Sequence, residues 1–461
     1  MRYPHAPTLA RSVAALALAA CVLNANATAQ QIPRIQFTKF SLPNGLEVIV
    51  HEDHSTPIVA VDTWYHVGSA SEKPGRTGFA HLFEHVMFMG SKNVPQGTFD
   101  KLLESSGADN NGSTTEDRTN YYETGPSNML PLALWLDADR MGWLLPTMDQ
   151  AKLDAQRGVV KEERNQRVDN VPYGKASETI SAALYPKTHP YSWPVVGSMA
   201  DLSAASLTDV QEFFKLYYAP NNATLVVAGD VKTDSVKALV TKYFGDVPRN
   251  PNIAPHPAPQ LVSRATDTVL VLEDRVQLPR IYYVWPTVQG FHADEAPLDH
   301  FAAILGGGRT SRLYRKLVYE MQIASDVLAT HPTGNLSGTF EIVATPAPGH
   351  TPAEVAKVID DELKNVLAAG VTDAELARAR NSRRASFLNG LSSILGKAEQ
   401  LQLYNDQVKN PDYVQQDAAR YEKVTRADIQ RVANQYLSKG KVVLTVVPQG
   451  KKDLALTGGG K

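Results

Sequence analysis

The sequence predicts an α+β protein made of two homologous halves, each a mixed or antiparallel sheet covered by helices, that face each other across a cleft. Both halves open alike, with an alternating strand, a turn at a proline and a second strand: "LEVIVHEDHSTPIVAVDTWYHVGSA" and "DTVLVLEDRVQLPRIYYVWPT". They also close alike, because residues 206–230 and 424–448 each read as a Ser or Thr helix start, an amphipathic helix, a turn and a strand. Neither half alternates strands and helices strictly, which favours α+β over a doubly wound sheet.

A proline-rich segment separates the halves. "DVPRNPNIAPHPAPQ" holds five prolines between Pro248 and Pro259, a composition typical of a semi-rigid linker. We therefore expect a first domain over 30–247, a linker over 248–264 and a second domain over 265–450. The glycine-rich end, 451–461, is predicted to be disordered and without chemistry.

The N-terminus has the pattern of a secretory signal. Arg2 and Arg11 accompany the apolar run "SVAALALAACVL", and "NANATA" ends in a small-residue cleavage site. We expect a signal peptide over 1–29, cleavage after Ala29 and export to the periplasm. The alternative is "LAAC" as a lipoprotein signal, which would anchor the protein through lipid on Cys21. Cys21 is the only cysteine, and cleavage after Ala29 would leave none in the mature chain, which would exclude disulfides, thiol nucleophiles and thiolate ligands.

Composition excludes several further classes. At 461 residues and 43% hydrophobic content, the chain can bury large cores in about two to four domain-sized units. Its 46 basic and 48 acidic residues give a net charge of −2, which offers no argument for nucleic acid. No apolar run reaches the roughly 20 residues of a transmembrane helix.

Three ionisable residues lie in the apolar helix pattern "GFAHLFEHVMFMGS". His81 and His85 are four positions apart, so they share one helix face, and Glu84 lies beside them. Neutral imidazoles bind Zn²⁺ well, and a neighbouring carboxylate can take a proton from water as a general base. An ordinary surface helix is disfavoured because the apolar flanks indicate burial, where unpaired polar groups cost several kcal/mol.

A third zinc ligand is expected on the helix pattern "DQAKLDAQRGVVKEERNQRVDN". Val159 and Val160 are taken to mark its buried side, and Glu163 continues that side four and three residues later. Glu162 is turned away by about 100°. The pattern therefore favours Glu163 over Glu162, although both remain candidates.

"HLFEH" followed by "QRGVVKEER" resembles the pitrilysin family of zinc peptidases, which includes the insulin-degrading enzyme and the mitochondrial processing peptidase. The offset from His85 to Glu163 is 163 − 85 = 78 positions, which is similar to the spacing typical of that family. The resemblance implies a zinc endopeptidase with one Zn²⁺ per chain on His81, His85 and Glu163, and with Glu84 as general base. The alternatives are a non-catalytic relative, such as the core subunits of respiratory complexes, and a peptide-binding carrier.

Two departures from the family pattern matter. Gln156 stands where the family has an acid that supports the metal ligands, which softens the expected metal affinity. Val318 and Ser325 stand where the family's other half has an Arg and a Tyr that hold substrate. The resemblance therefore implies a heterodimer with a homologous subunit that supplies the Arg/Tyr pair. The alternative is a homodimer in which a nearby cluster binds substrate: Arg309, Arg312, Tyr314 and Arg315.

The segment "NNGSTTEDRTNYY" is the candidate substrate-binding strand. Polar residues in it are expected to pair with an extended peptide: Asn110, Asn111, Gly112 and Ser113. The alternative is an ordinary loop and strand.

Overall fold

Two β-sheets, one in each half of the chain, organise the fold. The first half supplies six strands: β1 Thr38–Ser41, β2 Glu47–Glu52, β3 Ile58–Tyr65, β4 Asp109–Thr114, β5 Thr119–Pro126 and β6 Ala223–Gly229. The second supplies five: β7 Thr268–Asp274, β8 Arg280–Thr287, β9 Ala324–Thr330, β10 Gly338–Pro346 and β11 Val442–Pro448. The computed structural model describes residues 32–457, so the predicted signal peptide and Cys21 lie outside the described residues.

Fourteen α-helices accompany these strands in the described part of the chain. The first half has α1 Phe79–Val86, α2 Phe99–Ser105, α3 Leu130–Trp143, α4 Gln150–Arg164, α5 Ala176–Leu184, α6 Met199–Ala204, α7 Leu207–Tyr217 and α8 Thr233–Phe244. The second has α9 Glu295–Gly306, α10 Pro352–Ala369, α11 Asp373–Gly390, α12 Ile394–Val408, α13 Val414–Glu422 and α14 Arg426–Leu437. The prediction of an α+β fold with two sheets is confirmed.

The two sheets have the same topology. Their strand orders are β1-β2-β6-β3-β5-β4 and β7-β11-β8-β10-β9, which match strand for strand once β1 is set aside. In each sheet one neighbouring pair is parallel, β2 with β6 and β7 with β11, and the other pairs are antiparallel. A shared mixed topology of this kind is the structural form of the duplication that the sequence pattern indicates.

Each half contributes one helix that packs on the sheet of the other half. Helix α5 of the first half packs on β8 and β11, and helix α12 of the second half packs on β3 and β6. The contact is polar as well as apolar, because buried Gln402 Nε2 donates to the backbone oxygens of Asp62 at 2.8 Å and Thr224 at 2.9 Å. A cavity of about 390 Å³ remains between the halves, lined by residues of both, including Arg118, Ser181 and Glu341.

The predicted linker and tail differ in how much structure they hold. Residues 248–264 contain no helix or strand. The predicted disordered tail, 451–461, belongs to the described part of the chain only as far as residue 457. Lys452–Leu454 form a 3₁₀ turn, and Leu456 packs against the second core and donates its backbone N–H to Thr445 Oγ1 at 3.2 Å. Residues 458–461 lie outside the described part.

Candidate metal centre

Helix α1 begins at a close contact between two glycines. Gly78, its N-cap residue, has φ of +88°, and Gly197 opposite it has φ of +77°. A Cβ on Gly197 would lie 2.5 Å from Gly78 Cα, so no larger residue fits without moving the backbone. Glu72 caps the helix from outside, accepting the N–H groups of Gly78 at 3.0 Å and Ala80 at 2.8 Å. These contacts fix where α1 starts and how it is oriented.

Helix α1 places both histidines on one side while its other side enters the first core. Phe79, Leu82, Phe83 and Val86 are buried in that core. His81 is buried, His85 is half-buried, and their ring centroids are 4.9 Å apart. The spacing of four residues therefore brings the two imidazoles together, as the sequence predicts.

Helix α4 delivers Glu163 to the same place. Glu163 Oε2 lies 3.0 Å from His85 Nε2 and 3.6 Å from His81 Nε2. Glu162 is exposed and accepts from Gln166 Nε2 at 3.1 Å, on the outer side of the helix. Val160 is fully buried as expected, but Val159 is 47% exposed, so only Val160 marks the buried side. The structure thus brings together Glu163, and not Glu162, with the histidine pair.

The geometry of the three side chains fits a metal ion. Their donor atoms all lie within 4.8 Å of one another, and among residues 32–457 no other group of His, Cys, Asp and Glu meets this criterion. Tetrahedral Zn²⁺ with ligand bonds of about 2.0–2.1 Å places donors about 3.3 Å apart, close to the separations found here. Glu163 Oε2 and His81 Nδ1 are buried without a hydrogen-bond partner. A cation would satisfy the orphaned carboxylate oxygen.

The electrostatics favour neutral, ligating imidazole. Burial lowers the pKa of His81 to about 4, with the neighbouring His85 as the second cause. A neutral ring nitrogen is the form that binds a metal. The second carboxylate oxygen of Glu163 is held by Arg167 Nη1 at 2.6 Å, which leaves Oε2 for the histidine side.

Glu84 lies between the histidines and the edge strand β4. Its Oε2 accepts a hydrogen bond from Thr114 Oγ1 at 2.6 Å. Burial raises the pKa of Glu84, while the Thr114 hydroxyl opposes that shift. A Cβ on Gly112 would lie 3.0 Å from Glu84 Cγ, so the glycine allows the carboxylate arm to lie against the strand. A half-buried carboxylate with a raised pKa is suited to accepting a proton.

The predicted substrate residues form strand β4, which is the last strand of its sheet and pairs only with β5. Asn110 Nδ2 donates to Asp100, Asn111 Oδ1 accepts the N–H of Gly112 at 2.8 Å, and Ser113 Oγ donates to Asn120. The other side of β4 has no neighbouring strand within the described chain. An edge of this kind can pair with an extended peptide.

The other predicted residues have the following places and partners. The Gln156 amide donates to Met89 Sδ, a thioether sulfur. Val318 lies in a π-helical segment, Tyr314–Glu320, and Ser325 lies at the start of β9, both in the second half. Arg312 is committed to a bidentate pair with Glu375 at 2.7 and 2.8 Å.

Sequence reasoning missed three residues that support the site. Thr114 could have been found, because Gly112 and Thr114 share one face of a strand with period two. Arg167 could also have been found, because a Glu and an Arg four positions apart on a helix commonly pair. Glu72 could not, since a capping carboxylate from outside a helix leaves no periodic signal.

Two family models match the chain in succession. Residues 47–192 match the model described as "Insulinase (Peptidase family M16)", and residues 204–383 match "Peptidase M16 inactive domain". His81, His85 and Glu163 all fall within the first match. A relative named "Zinc protease PqqE", from Helicobacter pylori, is 31% identical over 403 residues, which cover 86% of this chain and 89% of the relative. The chain belongs to peptidase family M16.

Further comparisons agree with this assignment. A "Probable mitochondrial-processing peptidase subunit beta" from Arabidopsis thaliana is 24% identical, covering 88% of this chain and 77% of the relative. The crystal structure of a protease from Helicobacter pylori superposes with a TM-score of 0.84 at 28% identity, covering 90% of this chain and all of that one. The periplasmic protease PqqL from Escherichia coli gives a TM-score of 0.76 at 20% identity, covering 92% of this chain and 49% of that one.

These findings confirm the resemblance to the insulinase and pitrilysin-like peptidases. This M16 chain has a protease fold whose relatives include named zinc proteases. None of the helices between residues 32 and 457 is both long and apolar enough to cross a membrane.

Proposed function

We propose that this protein is a zinc-dependent endopeptidase that cleaves peptides or unfolded polypeptides. One observation carries the proposal: His81, His85 and Glu163, which has an orphaned carboxylate oxygen, each bring a ligand atom within 4.8 Å of the others. In this proposal the three converging residues hold one Zn²⁺ per chain. Glu84 stays free for proton transfer because its carboxylate is bonded to Thr114 and not to the other three.

In the proposed mechanism each residue has a distinct task. Zn²⁺ at this site would polarise the scissile carbonyl and lower the pKa of a water molecule to about 7. Glu84 takes a proton from the attacking water and passes it to the leaving amine. The hydrogen bond from Thr114 on strand β4 holds the Glu84 carboxylate, so Glu84 keeps its orientation between the two proton transfers.

Strand β4 is the proposed platform for substrate. Its free edge lies next to Glu84, since Gly112 and Thr114 both contact that side chain. An extended peptide paired with this edge would run past the metal centre with its backbone held by ladder hydrogen bonds. The side chains of Asn110, Asn111 and Ser113 flank this path. Substrate recognition through backbone groups suits a peptidase that accepts unfolded polypeptides.

A second subunit of the same fold is proposed to complete the substrate cleft. The Val318 side chain has no hydrogen-bond donor, and the Ser325 hydroxyl already donates to the backbone oxygen of Thr345 at 3.1 Å. Arg312 is already paired with Glu375, which weakens the homodimer alternative that relies on it. This chain covers 49% of the Escherichia coli protease, so the rest of that protein is long enough to hold a second unit of similar length.

Export to the periplasm is proposed from the N-terminal pattern. Mass spectrometry of the mature protein should find Gln30 as the first residue, whereas lipid-modified Cys21 would place the protein on a membrane surface.

The proposed activity is tested by two measurements on one purified sample. Zinc content should be one ion per chain, and an unfolded peptide mixture should be cleaved in a manner that a chelator abolishes and added Zn²⁺ restores. Zinc without cleavage, even in the presence of a homologous subunit, would favour a non-catalytic relative. Peptide binding without zinc would favour a carrier.

A further inference from the structure

Arg164, the residue next to Glu163, lies at the junction of three elements. It is the last residue of α4, and its side chain is 10% exposed. Nη1 and Nη2 form a fork onto the Glu178 carboxylate at 2.6 and 2.9 Å, which joins α4 to α5. Nη1 also donates to the backbone oxygen of Gly197 at 2.8 Å.

The Gly197 contact continues to the histidine helix. Gly197 packs directly against Gly78, the N-cap residue of α1, with no room for a side chain between them. The neighbouring Ser198 N–H donates to Thr77 Oγ1 at 3.1 Å, which holds the two segments together. A short path of contacts therefore runs from the Glu163 helix through Arg164 and Gly197 to the helix that carries His81 and His85.

We propose that Arg164 is a positioning residue that sets the distance between the Glu163 carboxylate and the histidine pair. This inference rests on the proposed function, in which these three residues hold zinc. It concerns a residue that does not touch the metal.

The required precision explains why such a residue is needed. Rotating a helix by about 20° moves a side-chain tip 5–6 Å from its axis by roughly 2 Å. Metal–ligand distances tolerate only about 0.2 Å. Glu163 is the last residue but one of α4, and the chain then changes to a π-helical turn at Asn165–Asp169. The end of α4 thus lacks a continuing α-helix to fix its rotation, and the planar fork of Arg164 supplies that constraint.

Lysine in place of arginine would keep the charge but lose the constraint. An ammonium group is a point charge on a flexible stem and cannot hold Glu178 and Gly197 in one fixed plane. Glu178→Gln removes the carboxylate half of the fork while leaving Arg164 in place. Both changes should allow the end of α4 to rotate about the helix axis, and neither change removes a metal ligand.

The second half of the chain offers a matched control. Arg312 forms the same kind of fork, with Glu375 at 2.7 and 2.8 Å, and also donates to a backbone oxygen, that of Gly370, at 3.2 Å. Its side chain is 19% exposed, against 10% for Arg164. Arg312→Lys therefore breaks equivalent bonds in the half that lacks the histidines.

The experiment measures zinc affinity of the metal-free, full-length proteins by competition with a chromophoric chelator. The absorption spectrum of the Co²⁺-loaded forms serves as a readout of ligand geometry, and thermal unfolding of the metal-free forms as a readout of stability. Arg164→Lys and Glu178→Gln should each weaken zinc binding by about 10- to 100-fold, the usual effect of losing a residue that orients a ligand. Both should shift the absorption spectrum of the Co²⁺-loaded protein. Arg312→Lys should leave the zinc affinity and the Co²⁺ spectrum unchanged.

Two results would overturn the inference in different ways. An Arg164→Lys protein with wild-type affinity and spectrum would show that the fork is only structural, while leaving the proposed zinc site intact. A wild-type protein that binds no zinc would overturn the proposed function and this inference together. If Arg164→Lys does not fold, Glu178→Gln decides by the same criteria.

Discussion

Thr114 Oγ1 donates a hydrogen bond to Glu84 Oε2 at 2.6 Å, which joins the last residue of edge strand β4 to the helix that carries both histidines. This bond links the candidate peptide platform to the candidate general base. It also explains why Glu84, next to His85 in sequence, is directed to the strand and not to the histidine–Glu163 group. The distinct roles proposed for Glu84 and Glu163 follow from this difference in partners.

Glu84→Gln should keep zinc and lose cleavage. The amide is nearly isosteric and can still meet Thr114, but it cannot accept a proton, and loss of a general base typically costs about 10²-fold or more in rate. The measurement is zinc content together with the cleavage rate of a peptide. Glu104→Gln, an exposed change of the same kind on α2, is the control. Loss of zinc in Glu84→Gln would mean that Glu84 is itself a ligand.

Glu163→Gln should abolish stoichiometric zinc binding, whereas Glu162→Gln should not. Glu163 Oε2 lies 3.0 Å from His85 Nε2, while Glu162 is directed to Gln166 at the surface. Since loss of a residue that merely orients a ligand costs about 10- to 100-fold, loss of the ligand should cost more. Equilibrium dialysis against Zn²⁺ compares the two variants directly, and the reverse result would reassign the third ligand to Glu162.

The fold class, the duplication and the three converging residues could all be predicted from the sequence. Each depends on a local pattern: period two, period 3.6, or a motif repeated at a fixed spacing. The exchange of α5 and α12 between the halves could not be predicted. Gln402 bonds to the backbone of Asp62, 340 positions away, and no local pattern carries that information. The contact of Leu456 with Thr445 was not predicted either, because the glycine-rich tail has no helix or strand period.

Asp62 should make the stability of the protein depend on pH. It is fully buried, its Oδ1 accepts from Asn120 Nδ2 at 3.2 Å, and its Oδ2 has no partner. Burial, with Glu399 as the second cause, raises the pKa of Asp62 to about 8, while Asn120 and Arg118 oppose the shift. The folded protein therefore keeps this proton at pH values where the unfolded chain, with a pKa of about 3.9, has lost it.

The sign of the effect follows from proton linkage. The stabilisation of the folded protein by the raised pKa of Asp62 is complete below about pH 4 and is lost as pH rises through about 8. Over this range the free energy of unfolding falls by up to roughly 1.4 kcal/mol per pH unit. Asp62→Asn should flatten that slope, as measured by urea unfolding of the metal-free protein at several pH values between about 5 and 8. Asp326→Asn, at an exposed position on β9, should keep the wild-type slope. Parallel curves for wild type and Asp62→Asn would show that Asp62 is ionised in the folded state.

The last prediction concerns the second subunit. This chain holds a candidate metal centre in its first half, but Val318 and Ser325 stand in its second half where the resemblance implies an Arg and a Tyr. Zinc orients only the reacting carbonyl, so productive binding also needs groups that hold the rest of the peptide. We therefore expect the isolated chain to bind zinc fully yet cleave peptides poorly.

Addition of a homologous chain that lacks H-x-x-E-H and carries the Arg/Tyr pair should restore cleavage and double the mass in solution. Effective positioning is worth several kcal/mol, so the gain should be at least about 10²-fold. The decisive control is the same partner with its Arg and Tyr replaced by Val and Ser, which should still form the dimer but not restore cleavage. Full activity from the isolated chain, unchanged by the partner, would rule out the heterodimer requirement and leave substrate binding to groups within one chain or its own homodimer.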